Sequence, residues 1–180
     1  MNYCSLCGAR TEIKIPKGDS LPRSVCIECH TIHYQNQRII AGTLPIWQNQ
    51  VLLCKRAIAP REGYWTLPAG FLENSETVAE GAARETQEEA NAQVSDLQLY
   101  TVFSLPHISQ VYMFFRADLE GPKYSSGPES LEVELFSEQD IPWDELAFPV
   151  ITSTLQHYFA DRKTQVYPTH YEDLLFKRPR

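Results

Sequence analysis

Cys4-Ser-Leu-Cys7 and Cys26-Ile-Glu-Cys29 form two C-x2-C pairs separated by residues 8–25. This spacing lies within the range of four-cysteine zinc sites, where four thiolates close a tetrahedral shell. The intervening segment carries Pro16, Gly18 and Pro22 and too few apolar side chains to bury a core unaided. A bound zinc would supply the missing folding energy. A redox or accidental pairing is the alternative, and two matched pairs make it the weaker one. The pattern predicts a structural Zn2+ held by Cys4, Cys7, Cys26 and Cys29 in a small ribbon over residues 1–35. The rest of the 180 residues suffices for one ordinary domain.

The composition, 43% hydrophobic and 22% charged, is that of a soluble globular chain. A net charge of -7 leaves no basic surplus to release counterions from a phosphate backbone, so nucleic acid is a disfavoured partner. No window approaches the roughly 18 consecutive apolar residues of a membrane span, and the N-terminus lacks the apolar run of a secretory signal. A cytoplasmic protein without a membrane partner is expected. Cysteines there serve as metal ligands or buried thiols, which suits Cys54, alone in an apolar run.

From Arg38 the pattern changes to strands. Ile39 to Trp47 is β-branched and apolar, Asn49-Gln50 reads as a turn, and residues 51–56 return as a hairpin partner. Residues 57–63 form a loop with Pro60 and Gly63, and residues 65–70 lead into a helix with Ser75 as its expected N-cap. Further strands are expected over 98–105, 111–119 and 131–136, with a Gly/Pro/Ser loop at 121–128 and a second helix over 144–159. Residues 161–180 show no period and are expected to form a tail, so the boundaries read 1–35, 36–160 and 161–180. Strands mixed with two helices imply an α/β sandwich.

The segment GFLENSETVAEGAARETQEEA, Gly70 to Ala90, places Glu85, Glu88 and Glu89 within one turn near a helix C-terminus. The helix dipole is negative there, and like charges three or four residues apart repel by a few tenths of a kcal/mol per pair. At about 100° per residue, Val78, Gly81, Ala82, Glu89 and Ala92 share the side of Glu85. Glu80, Arg84, Gln87 and Asn91 lie opposite, with Glu88 at the edge. The carboxylates thus extend the face that packs on the sheet, the reverse of a solvated charge run. Carboxylates at i, i+3 and i+4 offer hard oxygen ligands suited to Mg2+ or Mn2+. A bound cation would remove the repulsion and the dipole penalty together, and carboxylate-held magnesium is a device for phosphate chemistry.

Gly70, Glu76, Arg84-Glu85 and Glu88-Glu89 together resemble the Nudix box, G-x5-E-x7-R-E-U-x-E-E-x-G-U, where U is a bulky aliphatic residue. Three positions depart from it: Thr86 at the first U, Asn91 at the last glycine and Ala92 at the final U. Asn tolerates the left-handed conformation of a helix C-terminus, so Asn91 preserves the turn. Thr86 and Ala92 weaken packing more than chemistry. The runs VCIECHTIHYQNQ, LLCKRAIAPREGYWTLPAGFLE and GPESLEVELF extend the resemblance to the zinc-ribbon Nudix proteins, and within them to a branch that includes plant ADP-ribose/FAD pyrophosphatases. The S-Q-P-W-P-F-P-x-S array of the NADH pyrophosphatases is missing, and Ser104-Leu-Pro-His107 and Phe148-Pro149 are poor substitutes.

The resemblance implies a Nudix α/β/α sandwich with a mixed sheet behind the zinc ribbon. It also implies magnesium-dependent hydrolysis of a nucleoside diphosphate linked to a group X. ADP-ribose or FAD, cleaved to AMP plus a second phosphate, is the expected substrate. NADH is the alternative, and a non-catalytic nucleotide sensor or RNA- or protein-binding module is the competing class. By that match Glu85, Glu88 and Glu89 hold the metal, the Gly70 carbonyl completes the shell, Arg84 orients the carboxylates, and Glu76 assists or pairs with Arg84. The general base is sought among Glu129, Glu132 and Glu134, on or after the Gly127-Pro128 loop, with Glu132 the expected residue. Their bland reading is of solvent-facing charges bordering a strand. Tyr64 and Phe148 are candidates to stack on a base, and Trp65 is better suited to the core. A homodimer is left open.

Overall fold

The computed structural model describes residues 1–175, and the chain divides after Asn36. The first unit, Met1–Asn36, is a three-stranded antiparallel sheet of β1 (Thr11–Lys14), β2 (Arg23–Cys26) and β3 (Ile32–His33), in that order. Cys4, Val25 and Cys26 are buried, whereas Leu6, Ile13, Ile15, Leu21 and Ile27 are exposed. Apolar burial this sparse leaves the cysteine cluster to hold the unit together.

The second unit begins at Gln37. In chain order it comprises β4 (Arg38–Trp47), β5 (Gln50–Arg56), β6 (Trp65–Thr66), β7 (Ala69–Phe71), α1 (Val78–Ala90), β8 (Val94–Leu105), β9 (Gln110–Leu119), β10 (Ser130–Phe136), α2 (Pro149–Asp161) and β11 (His170–Asp173). The sheet order is β10-β5-β4-β9-β8-β11, with β6 beside β5 and β7 beside β4. The β4–β9 and β8–β11 pairs are parallel and the others antiparallel, so the sheet is mixed. Alternation along β5 sends Val51 and Leu53 into the core shared with Val150, Ile151 and Leu155 of α2. Leu52 and Cys54 join Ala90 of α1 on the other side. The α1 side is packed with small residues, Ala41 against Ala82, which lets the acidic helix approach the sheet closely. Thr86, at an aliphatic position of the Nudix box, is fully buried and satisfied: its hydroxyl lies 2.6 Å from that of Thr43 and donates to the Ala82 carbonyl at 2.9 Å.

Several boundaries differ from the sequence expectation. α1 is capped by Thr77, not Ser75: the Thr77 side chain accepts from the Glu80 N–H and the Glu80 carboxylate accepts from the Thr77 N–H, a reciprocal box that Ser75, at φ 72, does not offer. Asn91 takes the left-handed cap conformation, as expected. The hairpin turn falls at Gln48-Asn49, since Gln50 already belongs to β5. β8 starts at Val94 rather than Gln98. α2 starts at Pro149, whose fixed φ suits a first helical position, while Asp144 sits in a separate single turn, Trp143–Glu145.

The expected tail over 161–180 instead contributes β11, paired in parallel with β8 through Tyr171↔Val102. Polar contacts hold it. His170 Nε2 lies 2.7 Å from Asp161 Oδ2, which also accepts from the Tyr100 hydroxyl at 2.7 Å, and His157 Nε2 lies 2.5 Å from Glu172 Oε1. The two imidazoles stack at 3.8 Å. The end of that expected tail, 176–180, lies outside the described residues. Among the described residues, no helix is long and apolar enough to cross a membrane.

Candidate metal centres and active site

In the first unit the four sulfurs of Cys4, Cys7, Cys26 and Cys29 all lie within 4.8 Å of one another, with Cys4–Cys29 at 3.7 Å and Cys7–Cys26 and Cys7–Cys29 at 3.4 Å. A tetrahedral zinc with Zn–S bonds of about 2.3 Å sets sulfurs about 3.8 Å apart, so the cluster is close to the size zinc requires. The Leu6 N–H donates to Cys4 Sγ and the Cys29 N–H to Cys26 Sγ, both at 3.4 Å. The Thr31 hydroxyl and backbone hold the Cys29 thiol down at about 6, while Cys7, against the pull of the Ala9 backbone, is pushed up to about 12 by its bonds to Cys26 and Cys29. A closed set of four sulfurs within reach of one ion suggests a structural zinc. His33 Nε2, 3.3 Å from Cys4 Sγ, is a neighbour that ligand spacing alone did not reveal.

In the second unit the acidic cluster is organised by Arg84. Its guanidinium grips Glu76 through both oxygens, Nε to Oε2 at 3.0 Å and Nη2 to Oε1 at 2.8 Å. Nη1 donates to Glu85 Oε1 at 2.8 Å and Glu88 Oε2 at 3.1 Å, and Nη2 also reaches the Phe71 carbonyl at 3.2 Å. Arg84, with the Glu73 N–H, pulls the Glu76 carboxyl down to about 2. Glu76 is therefore the counter-ion that fixes Arg84. A Cβ at Gly70 would fall 2.3 Å from the Glu85 carboxylate, so any side chain there would push that carboxylate out of its place.

Exposure grades along the helix as the wheel requires: the Glu88 side chain is 58% exposed, Glu85 13%, and the Glu89 residue 8%. Burial, then the Glu85 charge, pushes the Glu89 carboxyl up to about 8 against the opposing pull of the Ala69 backbone and the Arg56 charge. Burial likewise raises Glu85 in spite of Arg84. Glu89 Oε2 is buried and has no hydrogen-bond partner among the described residues. An orphaned carboxylate oxygen beside a second, desolvated carboxylate is the donor set that a hard divalent cation would satisfy.

These groups open onto a cavity of about 1260 Å³, also lined by Arg38, Arg56, Tyr112, Phe148 and Glu129. Arg38 lies over the Phe71 ring at 4.9 Å and Arg56 over the Phe148 ring at 5.3 Å. Burial raises the Tyr112 hydroxyl pKa, while the charges of Arg56 and Arg38 act to lower it. The Glu129 charge acts on both Glu85 and Glu89.

Glu132 and Glu134 are not brought to the cavity. Both stand exposed on β10, and Glu132 pairs with Lys55 at 3.0 Å across the β5–β10 ladder. Glu129 precedes the strand and so remains on the cavity rim. Tyr64 also lies outside the lining, beneath Arg61 at 5.2 Å. Trp65 is buried in the core, edge-on to Phe136 at 4.9 Å. No sequence motif marks Arg38 or Arg56; Arg38 begins β4 and Arg56 ends β5, so antiparallel pairing brings both to the same end of the sheet.

A mixed sheet between two helices, with a carboxylate cluster suited to a divalent cation at the mouth of a large cavity, describes an α/β protein with a candidate metal site. Comparison with known proteins makes this specific. The chain matches the family described as NUDIX domain over residues 36–156 and the zinc ribbon described as Nudix N-terminal over residues 2–35. It belongs to the Nudix family.

A NUDIX hydrolase from Nitrosomonas europaea, known as a crystal structure, is 55% identical and superposes with a TM-score of 0.91, covering 97% of this chain and 100% of that one. The chain is 28% identical to the NAD-capped RNA hydrolase NudC of Vibrio vulnificus over 147 residues, 79% of this chain and 53% of that protein. It is 34% identical to the ADP-ribose pyrophosphatase of Methanocaldococcus jannaschii over 106 residues, 56% of this chain and 60% of that protein. The chain thus matches little more than half the length of these two curated relatives.

Proposed function

We propose that the protein is a Mg2+- or Mn2+-dependent pyrophosphatase that cleaves the diphosphate bond of nucleoside diphosphate-linked compounds, with ADP-ribose and FAD preferred over NADH. The observation that carries this reading is Glu89, a buried carboxyl with an unpartnered oxygen beside Glu85. Glu85, Glu88 and Glu89 would hold the cation with the Gly70 carbonyl, and Arg84 keeps two of those carboxylates in place. A divalent cation bound there neutralises diphosphate charge and makes water more acidic. Glu129 replaces Glu132 as the base: it takes the proton of the water that attacks phosphorus, the P–O–P bridge opens, and AMP leaves with a second phosphate monoester. Arg38 and Arg56 add positive charge for the diphosphate oxygens, and Tyr112 and Phe148, among the aromatic side chains of the lining, are candidates to pack on a planar ring.

The cavity exceeds the roughly 300–1,000 Å³ of ordinary small-molecule pockets, room enough for a dinucleotide. The missing NADH array and the likeness to an archaeal ADP-ribose pyrophosphatase support the substrate order. Similarity to NudC favours a second reading, NADH or NAD-capped RNA. Steady-state kinetics on ADP-ribose, FAD, NADH and NAD-capped RNA decide between them. The highest kcat/KM is expected for ADP-ribose or FAD; a maximum for NADH or capped RNA transfers the site to the second reading, and no hydrolysis of any of the four leaves a nucleotide sensor. Glu129→Gln is expected to lose about 10²–10⁴ in kcat, while Glu132→Gln remains within about twofold of wild type because it touches only a surface ion pair.

A further inference from the structure

Asn91 ends α1 with φ 47 and ψ 35. Glycine would satisfy that backbone requirement equally well. The side chain does something the backbone does not ask for: its Nδ2 lies 3.1 Å from Ser125 Oγ, 3.1 Å from the Ser126 carbonyl and 3.3 Å from the Ser125 carbonyl. The same loop donates to the last carbonyls of the helix, Ser125 N–H to Ala90 O and Gly127 N–H to Glu89 O, both at 2.9 Å. It lies so close that a Cβ on Gly127 would fall 1.7 Å from the Glu88 carbonyl oxygen. Two residues on, the Glu129 carbonyl accepts from the Ala57 N–H at 2.8 Å. The backbone leading to Glu129 is therefore tied to α1 before it and to the loop after β5 behind it.

We infer that Asn91 is a positioning residue for hydrolysis: its amide fastens the 125–129 loop to the metal-bearing helix and so sets the separation of the Glu129 carboxylate from Glu85 and Glu89. The inference rests on the reading of Glu129 as the base. Base and metal ligands belong to different elements, with β8 and β9 between them in the chain, and their alignment depends on whatever joins the loop to the helix. Three contacts of one side chain amide, placed at the turn where the helix ends, join them directly. A displacement of about 1 Å in a reacting group is enough to cost up to about 10²-fold in rate.

The test is a double-mutant cycle on Asn91→Gly and Glu129→Gln, using the best substrate of the panel. Asn91→Gly keeps the left-handed cap, so the melting temperature should stay close to wild type. Its kcat is expected to fall about tenfold, with KM and the Mg2+ requirement within about twofold. In the Glu129→Gln background the same change should alter the rate by less than about twofold, because no carboxylate remains to be misplaced. Wild-type kcat in Asn91→Gly overturns the inference while the base reading stands. A tenfold loss that persists in the Glu129→Gln background also overturns it, since the amide would then act through something else. Full activity in Glu129→Gln sinks the base reading itself, and the inference with it.

Discussion

The Glu89 carboxyl stands at about 8 in the folded chain against an ordinary value of 4.5, and the difference couples stability to pH. Between those values the folded state holds a proton that the unfolded state has released. Stability without metal therefore declines as pH rises through this interval, by a few kcal/mol at most. Thermal melts without added Mg2+, the zinc left in place, should show the decline. Glu89→Gln, neutral at every pH, should flatten it while cutting turnover by about 10²–10³, the loss typical of one preorganised electrostatic group. A slope that survives in the variant would assign the titration to another group. Adding Mg2+ near neutral pH should expel about one proton per chain, readable in weak buffer, since the cation competes with the proton for the same oxygens. Helical period was enough to read which glutamates face the sheet. It could not tell Glu129 from Glu132, because that depends on β10 beginning at Ser130: one carboxylate stays on the loop and the other is carried out along the strand to Lys55.

Among the elements, α1 and β11 mark the two limits of what the sequence could reveal. α1 carries a strong apolar and small-residue face and a complete charge skeleton, so its position was legible and only its cap moved, from Ser75 to the Thr77–Glu80 box. β11 is the polar run His-Tyr-Glu-Asp, half-exposed on a sheet edge and held by side-chain hydrogen bonds that hydrophobic periodicity does not register. Burial tends to raise the Asp161 carboxyl, but the bonds from His170 and Tyr100 prevail and lower it. A depressed carboxyl contributes stability above its unfolded value of 3.8, and that contribution is lost as pH falls through the folded value. Asp161→Ala should remove the anchor at any pH, at a cost of about 1–3 kcal/mol for the stranded Tyr100 hydroxyl and His170. Hydrogen exchange is the measurement: the amides of His170–Asp173 should lose protection while those of α1 keep theirs. Equal loss in both would mean that β11 is integral to the sheet rather than docked on it.

At the scale of the whole chain, the two units depend on different sources of stability. From Gln37 onward, apolar side chains fill both faces of a mixed sheet, whereas Met1–Asn36 buries Val25 beside two of its four cysteines and leaves most of its large apolar side chains in water. A unit of that size without a core folds only with a staple, and the sulfur spacing matches zinc. Metal analysis should therefore find about one zinc per chain. Chelation strong enough to remove it should unfold residues 1–36 and leave the β4–β11 sheet with its helices intact, because the latter buries its own core. Hydrolysis, assayed with Mg2+ restored after the zinc is withdrawn, should persist: four sulfurs around one zinc leave no coordination position for a substrate or a water. Loss of turnover in step with zinc, while the circular dichroism of the larger unit holds, would give the ribbon a part in catalysis that a closed sulfur shell does not supply.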